Sequence, residues 1–158
     1  MTLKIGSIGS YVIVFSLTGL LLYVLQLLPN IVWLATPPAN DVLKHNSSPH
    51  AVLNLTEQVF GIATVALLII VISRGGTEGR NSPWLLLCAG TFLAGYYAAW
   101  VLYYRGNVSS WLLVIGIAAM PPLYYFFVAS WMKDYLALVP CVIFGIAHVT
   151  ITWSNYVR

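Results

Sequence analysis

The chain has 158 residues, of which 60% are hydrophobic and 7% are charged, and its mean hydropathy is +0.87. Soluble domains carry about a quarter charged residues, so this composition excludes a soluble globular protein and indicates an integral membrane protein. The formal charge of +3 comes from 7 scattered basic residues. Because these residues form no basic cluster, we expect membrane lipids as neighbours and no nucleic-acid partner.

Apolar runs of spanning length fill nearly the whole sequence. We predict a single transmembrane domain over residues 1–158, an all-α bundle of five transmembrane helices with short loops. The predicted helices cover about residues 9–34, 50–73, 84–104, 110–131 and 135–156. The first run follows Lys4 and is longer than the hydrophobic region of a signal peptide, so we expect it to be retained as a span.

Prolines and small residues add detail to this plan. Pro121 and Pro122 remove two backbone donors from the fourth predicted helix, which we therefore expect to bend. Residues 36–49 form the longest predicted loop, and its length favours a lid or a partner surface. Gly95 and Ala99 have the small-xxx-small spacing that allows close helix packing, and they would mark the contact face with a membrane protein partner if the protein is an accessory subunit.

The basic residues divide between the two ends of the predicted bundle. On the N-terminal side lie Lys4, Arg74, Arg80 and Lys133. On the opposite side lie Lys44, Arg105 and Arg158. The positive-inside rule therefore favours a cytoplasmic N-terminus, by four residues to three.

Polar residues form a stripe on two of the predicted helices. At about 100° per residue, one face of the second helix carries His50, Asn54, Glu57, Gly61 and Thr64. One face of the fifth helix carries Cys141, Gly145, His148, Thr152 and Asn155. Lipid offers no hydrogen-bond partners, so both stripes must face protein or a water-filled cavity.

The two stripes are predicted to meet in one leaflet. Helices 2 and 5 run in opposite directions, which places Glu57 and His148 each about 10 Å below the same membrane surface. The end of the first helix and the aromatic end of the third reach the same level. We therefore predict a polar pocket whose ligand-binding residues are Gln26, Asn30, Asn54, Glu57, Trp100, Tyr103, Tyr104, His148, Thr152 and Asn155.

The carboxyl group of Glu57 needs a compensating partner. An ionised side chain at mid-bilayer costs about 2.5–3.5 kcal/mol, whereas one hydrogen bond between spanning helices returns about 0.6 kcal/mol. Glu57 is therefore expected to be protonated or paired with a cation, and the candidates are His148 and Arg105.

Several interpretations of this pocket remain open. Its polar residues could tie the helices together without a ligand. They could bind, or help to move, a small amphipathic or lipid-like ligand, and this is the function that we predict. They could contact a partner, in which case the protein is an accessory or structural subunit. The fourth interpretation is an intramembrane enzyme in which Glu57 and His148 act as acid and base.

Catalysis and metal binding have less support from the sequence. The Glu57–His148 pair has no accompanying nucleophile, so we predict no catalytic residue and no cofactor. His45, His50 and Asp41 are the candidate metal ligands. His50 and Glu57 lie two helical turns apart, about 10 Å, and cannot share one ion, so we predict no metal site.

Some features resemble the translocator (peripheral benzodiazepine receptor) proteins. These are the five predicted spans, Trp33 followed by Pro37-Pro38, and Val139-Pro140 followed by Phe144. The third helix, Gly95-Tyr-Tyr-Ala-Ala-Trp100, departs from the tryptophan-rich pattern of that family, and no functional residue is carried over. The chain also resembles small multi-pass proteins of Gram-positive bacteria, which implies a location in a bacterial plasma membrane.

Overall fold

The computed structural model describes residues 2–8, 11–74 and 82–157. Within these ranges, five helical segments are long and apolar enough to span a membrane, which confirms the predicted all-α fold class. They are α1 (Leu17–Ala35), α2 (Ala51–Ile69), α3 (Pro83–Tyr104), a fourth segment (Leu112–Met132) and α5 (Tyr135–Tyr156). At about 1.5 Å per residue, the 19 residues of α1 reach about 28 Å, close to the thickness of a hydrocarbon core.

The fourth span is composite. A π-helical segment (Leu112–Ala119) leads into α4 (Met120–Met132), which begins at the two adjacent prolines. Pro121 and Pro122 have no N–H to donate to the carbonyls four residues earlier. The wider π turns therefore lie directly beside the backbone bonds that the prolines remove, at the place where the sequence predicted a bend.

The described chain contains three strands, two of which replace parts of the first two predicted helices. They are β1 (Thr2–Ile8), β2 (Tyr11–Ser16) and β3 (Ile70–Arg74), and they form an antiparallel sheet in the order β1-β2-β3. The prediction of helix is therefore wrong over residues 11–16 and over residues 70–73, whereas residues 9 and 10 lie outside the described ranges.

The composition of these segments explains the correction. The segments Tyr11-Val-Ile-Val-Phe15 and Ile70-Val-Ile72 consist of β-branched and aromatic residues, which favour strands. Hydropathy alone does not separate such a run from the end of a spanning helix. At the junction, the Ser16 hydroxyl caps α1 by accepting a hydrogen bond from the Gly19 amide at 3.0 Å.

A close approach of two backbones fixes α1 beside α2 at the sheet. A Cβ atom on Gly19 would lie 1.9 Å from the carbonyl oxygen of Leu68, a distance that no side chain permits. Leu68 belongs to a buried cluster that also contains Tyr124, Val128 and Ala137. This end of the bundle, which we call the sheet half, is therefore held by tight apolar packing.

The small residues of α3 pack inside the same chain. A Cβ atom on Gly95 would lie 3.4 Å from the side chain of Met120, and one on Gly116 would lie 2.6 Å from Ala99 Cβ. Ala99 itself is buried. The small-xxx-small face of α3 therefore packs against the fourth span of the same chain.

The turn between α4 and α5 buries a carboxyl group. Lys133 adopts a left-handed conformation with φ of 58°, and Asp134 follows it with a fully buried side chain. Neither carboxylate oxygen of Asp134 has a hydrogen-bond partner in the described structure. Burial raises the pKa of Asp134 to about 6, and the amides of Ala137 and Leu136 at the start of α5 partly oppose this rise.

Candidate functional site

A cavity of about 330 Å³ lies between the spans, in the half of the bundle that is closed by the loop after α1. We call it the central cavity, and we call this end the loop half. Its polar lining consists of Gln26, Asn30, Asn46, Glu57, His148 and Thr152. Its aromatic lining consists of Trp33, Tyr96, Trp100, Tyr125 and Phe144.

Glu57 and His148 meet on one wall of the central cavity. Helices α2 and α5 pack along each other in opposite directions, and Glu57 Oε1 contacts His148 Nδ1 directly. Their side chains keep 22% and 24% of their surface exposed, so the pair is in contact with the cavity and is not sealed in the core. The structure therefore provides His148 as the partner of Glu57, whereas Arg105 is exposed and lies outside the cavity lining.

The ring of Phe144 supports this pair. It stacks on the imidazole of His148, with ring centroids 5.2 Å apart and planes 23° from parallel. Gly61 of α2 leaves room for it, since a Cβ atom there would lie 3.2 Å from the phenyl ring. The imidazole is thus held between a carboxylate and an aromatic face.

Two amide side chains on α1 extend the polar lining. The Tyr125 hydroxyl donates a hydrogen bond to Gln26 Oε1, and Asn30 Nδ2 donates one to the Tyr96 hydroxyl at 2.8 Å. Among the described residues, Asn30 Oδ1 accepts no hydrogen bond. One acceptor on this wall therefore remains for a molecule in the cavity.

Pro29 lies between these two amides and alters the helix around them. It cannot donate to the carbonyl oxygen of Leu25, and the Tyr97 hydroxyl of α3 donates to that oxygen instead, at 2.5 Å. A backbone group freed at membrane depth is thus bonded by a neighbouring helix. This bond ties α1 to α3 beside the cavity wall.

Trp100 provides the aromatic corner of the central cavity. Its ring lies 6.2 Å from that of Trp33 and 6.2 Å from that of Tyr96, which it meets nearly at right angles. Only 4% of Trp100 is exposed, and its indole N–H has no hydrogen-bond partner in the described part of the chain. The N–H has no access to the cavity, so Trp100 contributes its ring to the wall and no hydrogen-bonding group.

The loop between α1 and α2, residues 36–50, closes the loop half and is called loop 1. Asp41 Oδ1 accepts hydrogen bonds from Trp33 Nε1 at 3.0 Å and from the Tyr103 hydroxyl at 2.8 Å. Asn46 Nδ2 donates to the hydroxyl of Thr152 at 2.9 Å. Leu43 and Asn46 reach the cavity, so the segment that the sequence favoured as a lid forms part of its wall.

The structure divides the predicted ligand-binding residues into two groups. Six of them line the central cavity: Gln26, Asn30, Glu57, Trp100, His148 and Thr152. The other four lie outside the lining and hold loop 1: Asn54, Tyr103, Tyr104 and Asn155. Their partners belong to loop 1, and among these partners Asn46 also lines the cavity.

The geometry of these four residues shows how the loop is held. Asn54 bonds to both backbone groups of Ser48, each at 2.8 Å. Asn155 Nδ2 donates to Asn46 Oδ1 and to the carbonyl oxygen of Ser47. Tyr103 and Tyr104 bond to Asp41 and to the carbonyl oxygen of Thr36. All of them are therefore positioned to influence the cavity through loop 1.

Several lining residues were missed by the sequence analysis. The important ones are Trp33, Asn46, Tyr96, Tyr125 and Phe144. Tyr96 belongs to the aromatic end of α3, and that signal was available. Tyr125 follows Pro121 by one helical turn, but its direction depends on the rotation of the fourth span, which no periodic pattern in that apolar segment reveals.

Comparison of the chain with models of known families, with curated proteins and with solved structures finds no match. Over the residues that the structure describes, no group of three His, Cys, Asp or Glu side chains could hold a metal ion.

Proposed function

We propose that the protein is a non-enzymatic membrane protein that binds, or helps to move, a small amphipathic or lipid-like ligand in the central cavity. The contact between Glu57 and His148 on the wall of that cavity is the observation that carries the proposal. Ligand pockets combine a mostly apolar wall with a few convergent polar groups. This cavity has an aromatic lining and a small polar set on α1, α2 and α5.

The unpaired polar atoms support occupancy by a ligand. Glu57 Oε2 and Asn30 Oδ1 accept no hydrogen bond from another described residue, and both residues line the central cavity. A role limited to tying helices together would leave such atoms paired with each other. Atoms that remain free on a cavity wall are available to a bound molecule, or to water that the molecule displaces.

The proposal is tested by native mass spectrometry of the protein released from lipid nanodiscs. The wild type is expected to retain a small molecule, and Glu57→Gln is expected to lose it because a carboxylate that orients the ligand becomes a neutral amide. Asp134→Asn is the matched control, since it makes the same change in the sheet half. A wild-type mass equal to that of the bare chain, or retention unchanged in Glu57→Gln, would contradict the proposal.

The same pair supports a second candidate, an intramembrane acid–base enzyme. A carboxylate beside an imidazole can accept and return a proton, and here the two groups touch and remain accessible. A pH-dependent conversion of the retained molecule that is abolished in His148→Ala would favour this candidate over binding alone.

We also propose that the N-terminal side faces the cytoplasm of a bacterial plasma membrane. Lys4 and Lys133 lie in the sheet half, whereas Lys44 and Arg105 lie in the loop half. The described side chains thus balance, and the proposal depends on Arg74 and Arg80 on the N-terminal side against Arg158 on the other, all with side chains outside the description. A reporter enzyme that is active only outside the cytoplasm should then give a signal when it is fused after residue 158.

A further inference from the structure

The charges on the wall of the central cavity define the kind of ligand that it accepts. Glu57 contributes a carboxyl group and His148 an imidazole, and the described lining contains neither lysine nor arginine. Lys44 and Arg105, the basic residues of this half with described side chains, are exposed and outside the lining. An anionic group in the cavity would have to compete with the carboxyl group of Glu57 for the imidazole of His148, the one described lining side chain that can become cationic.

The aromatic lining favours a cation in the same place. Trp33, Tyr96 and Trp100 surround one corner, and the planes of the two indoles are inclined by 46°. A cation over the face of tryptophan or tyrosine gains about 0.5–2 kcal/mol, and quaternary ammonium groups are bound in this way. Tyr96 and Trp100 are buried and Trp33 is half-buried, so the most accessible ring at this corner is that of Trp33.

The free hydrogen-bonding atoms include suitable acceptors. Glu57 Oε1 contacts His148, which leaves Oε2 without a protein partner among the described residues. Asn30 uses its Nδ2 on Tyr96, which leaves its Oδ1 as an acceptor. An ammonium or amine N–H group can donate to either of these oxygens.

We propose that the ligand is an organic ammonium compound, with its cationic nitrogen beside Glu57 and its apolar body among the rings of Trp33, Tyr96 and Trp100. This inference rests on the proposed function and adds the ligand's chemical class. A cavity of about 330 Å³ has room for an amine that carries a ring or a short hydrocarbon chain.

The test compares two probes of equal shape and opposite charge. Benzyltrimethylammonium and phenylmethanesulfonate are titrated calorimetrically into the wild type in nanodiscs of zwitterionic lipid. The ammonium probe is expected to bind at least about tenfold more tightly than the sulfonate, a difference of about 1.4 kcal/mol. This comparison needs no substitution, so it does not depend on how a variant folds.

Variants then locate the probe. Glu57→Gln should weaken binding of the ammonium probe by about tenfold or more, and Trp100→Leu should weaken it by about fivefold through loss of a ring of the aromatic corner. Trp84→Leu is the control for the second change, because Trp84 is 71% exposed at the opposite end of α3. Gln58→Ala, a change at an exposed neighbour of Glu57, is the control for the first.

The failures of the two proposals can be told apart. Equal or tighter binding of the sulfonate, or an ammonium affinity that Glu57→Gln leaves unchanged, would overturn the assignment of ligand class and leave a ligand-binding cavity intact. If neither probe binds and the wild type retains no small molecule in native mass spectrometry, both the class and the binding function are wrong.

Discussion

The two halves of the bundle place polar groups in opposite situations. In the loop half, polar side chains from distant parts of the chain bond to each other, as Gln26 does with Tyr125 and Glu57 with His148. In the sheet half, an apolar cluster packs around Leu68 and Val128, and the carboxyl group of Asp134 is buried without a partner. The comparison indicates that the sheet half supplies stability by packing, whereas the loop half maintains a cavity.

The largest expected effect comes from overpacking the sheet half. Gly19→Ala places a methyl group against the carbonyl oxygen of Leu68 and should lower the free energy of unfolding by about 3 kcal/mol. Gly90→Ala is the matched control, since a Cβ atom there meets nothing within 4 Å. It should be neutral or stabilising by up to about 1 kcal/mol, because alanine favours helix.

Thermal unfolding of both variants in detergent measures this difference. Because Gly19 lies away from the central cavity, the folded fraction of Gly19→Ala should still bind the ammonium probe with wild-type affinity. Equal melting temperatures for the two variants would show that α1 and α2 do not approach each other as described.

The second-largest expected effect comes from replacing an aspartate by asparagine, once in each half of the bundle. The pKa of Asp134 is raised from 3.8 to about 6, so the folded chain binds more protons than the unfolded chain between these values. Stability from this group is therefore present at about pH 4 and is lost as the pH rises through about 6. Asp134→Asn should match the wild type at low pH and be more stable by about 2 kcal/mol above pH 7.

Asp41→Asn should lower the free energy of unfolding, whereas Asp134→Asn should raise it. Asp41 accepts hydrogen bonds from Trp33 and Tyr103, and a neutral amide oxygen accepts them more weakly. We expect a loss of about 1 kcal/mol at pH 7.5. Melting curves of both variants from pH 4 to 8 test these two predictions. A stabilising Asp41→Asn or a destabilising Asp134→Asn at pH 7.5 would contradict the proposed difference between the two halves.

The sequence predicted the spans of this structure but not its strands. Hydropathy was sufficient for the spans because lipid exposure requires long apolar helices. It failed at residues 11–16, where a β-branched run pairs with β3, a segment more than fifty residues away along the chain. Strand pairing over that separation leaves no periodic signal in a uniformly apolar run.

The sequence likewise predicted one part of the candidate site and not another. Helical periodicity and antiparallel order were enough to bring Glu57 towards His148, because both helices are long and carry few polar residues. Periodicity did not separate Trp100, on the cavity wall, from Tyr104, one turn further along α3 and bonded to Thr36. Which aromatic ring faces the cavity depends on the rotation of α3 against α1, and that is set by tertiary packing.

The contact between Glu57 and His148 is tested most directly by a double-mutant cycle. Unfolding free energies of the wild type, Glu57→Ala, His148→Ala and the double variant are measured in mixed micelles. We expect a coupling energy of about 1 kcal/mol, within the range found for hydrogen bonds between spanning helices. A parallel cycle of Glu57→Ala with Ser154→Ala, an exposed site on α5, should be additive. Coupling between Glu57 and His148 within about 0.3 kcal/mol of zero would contradict the account.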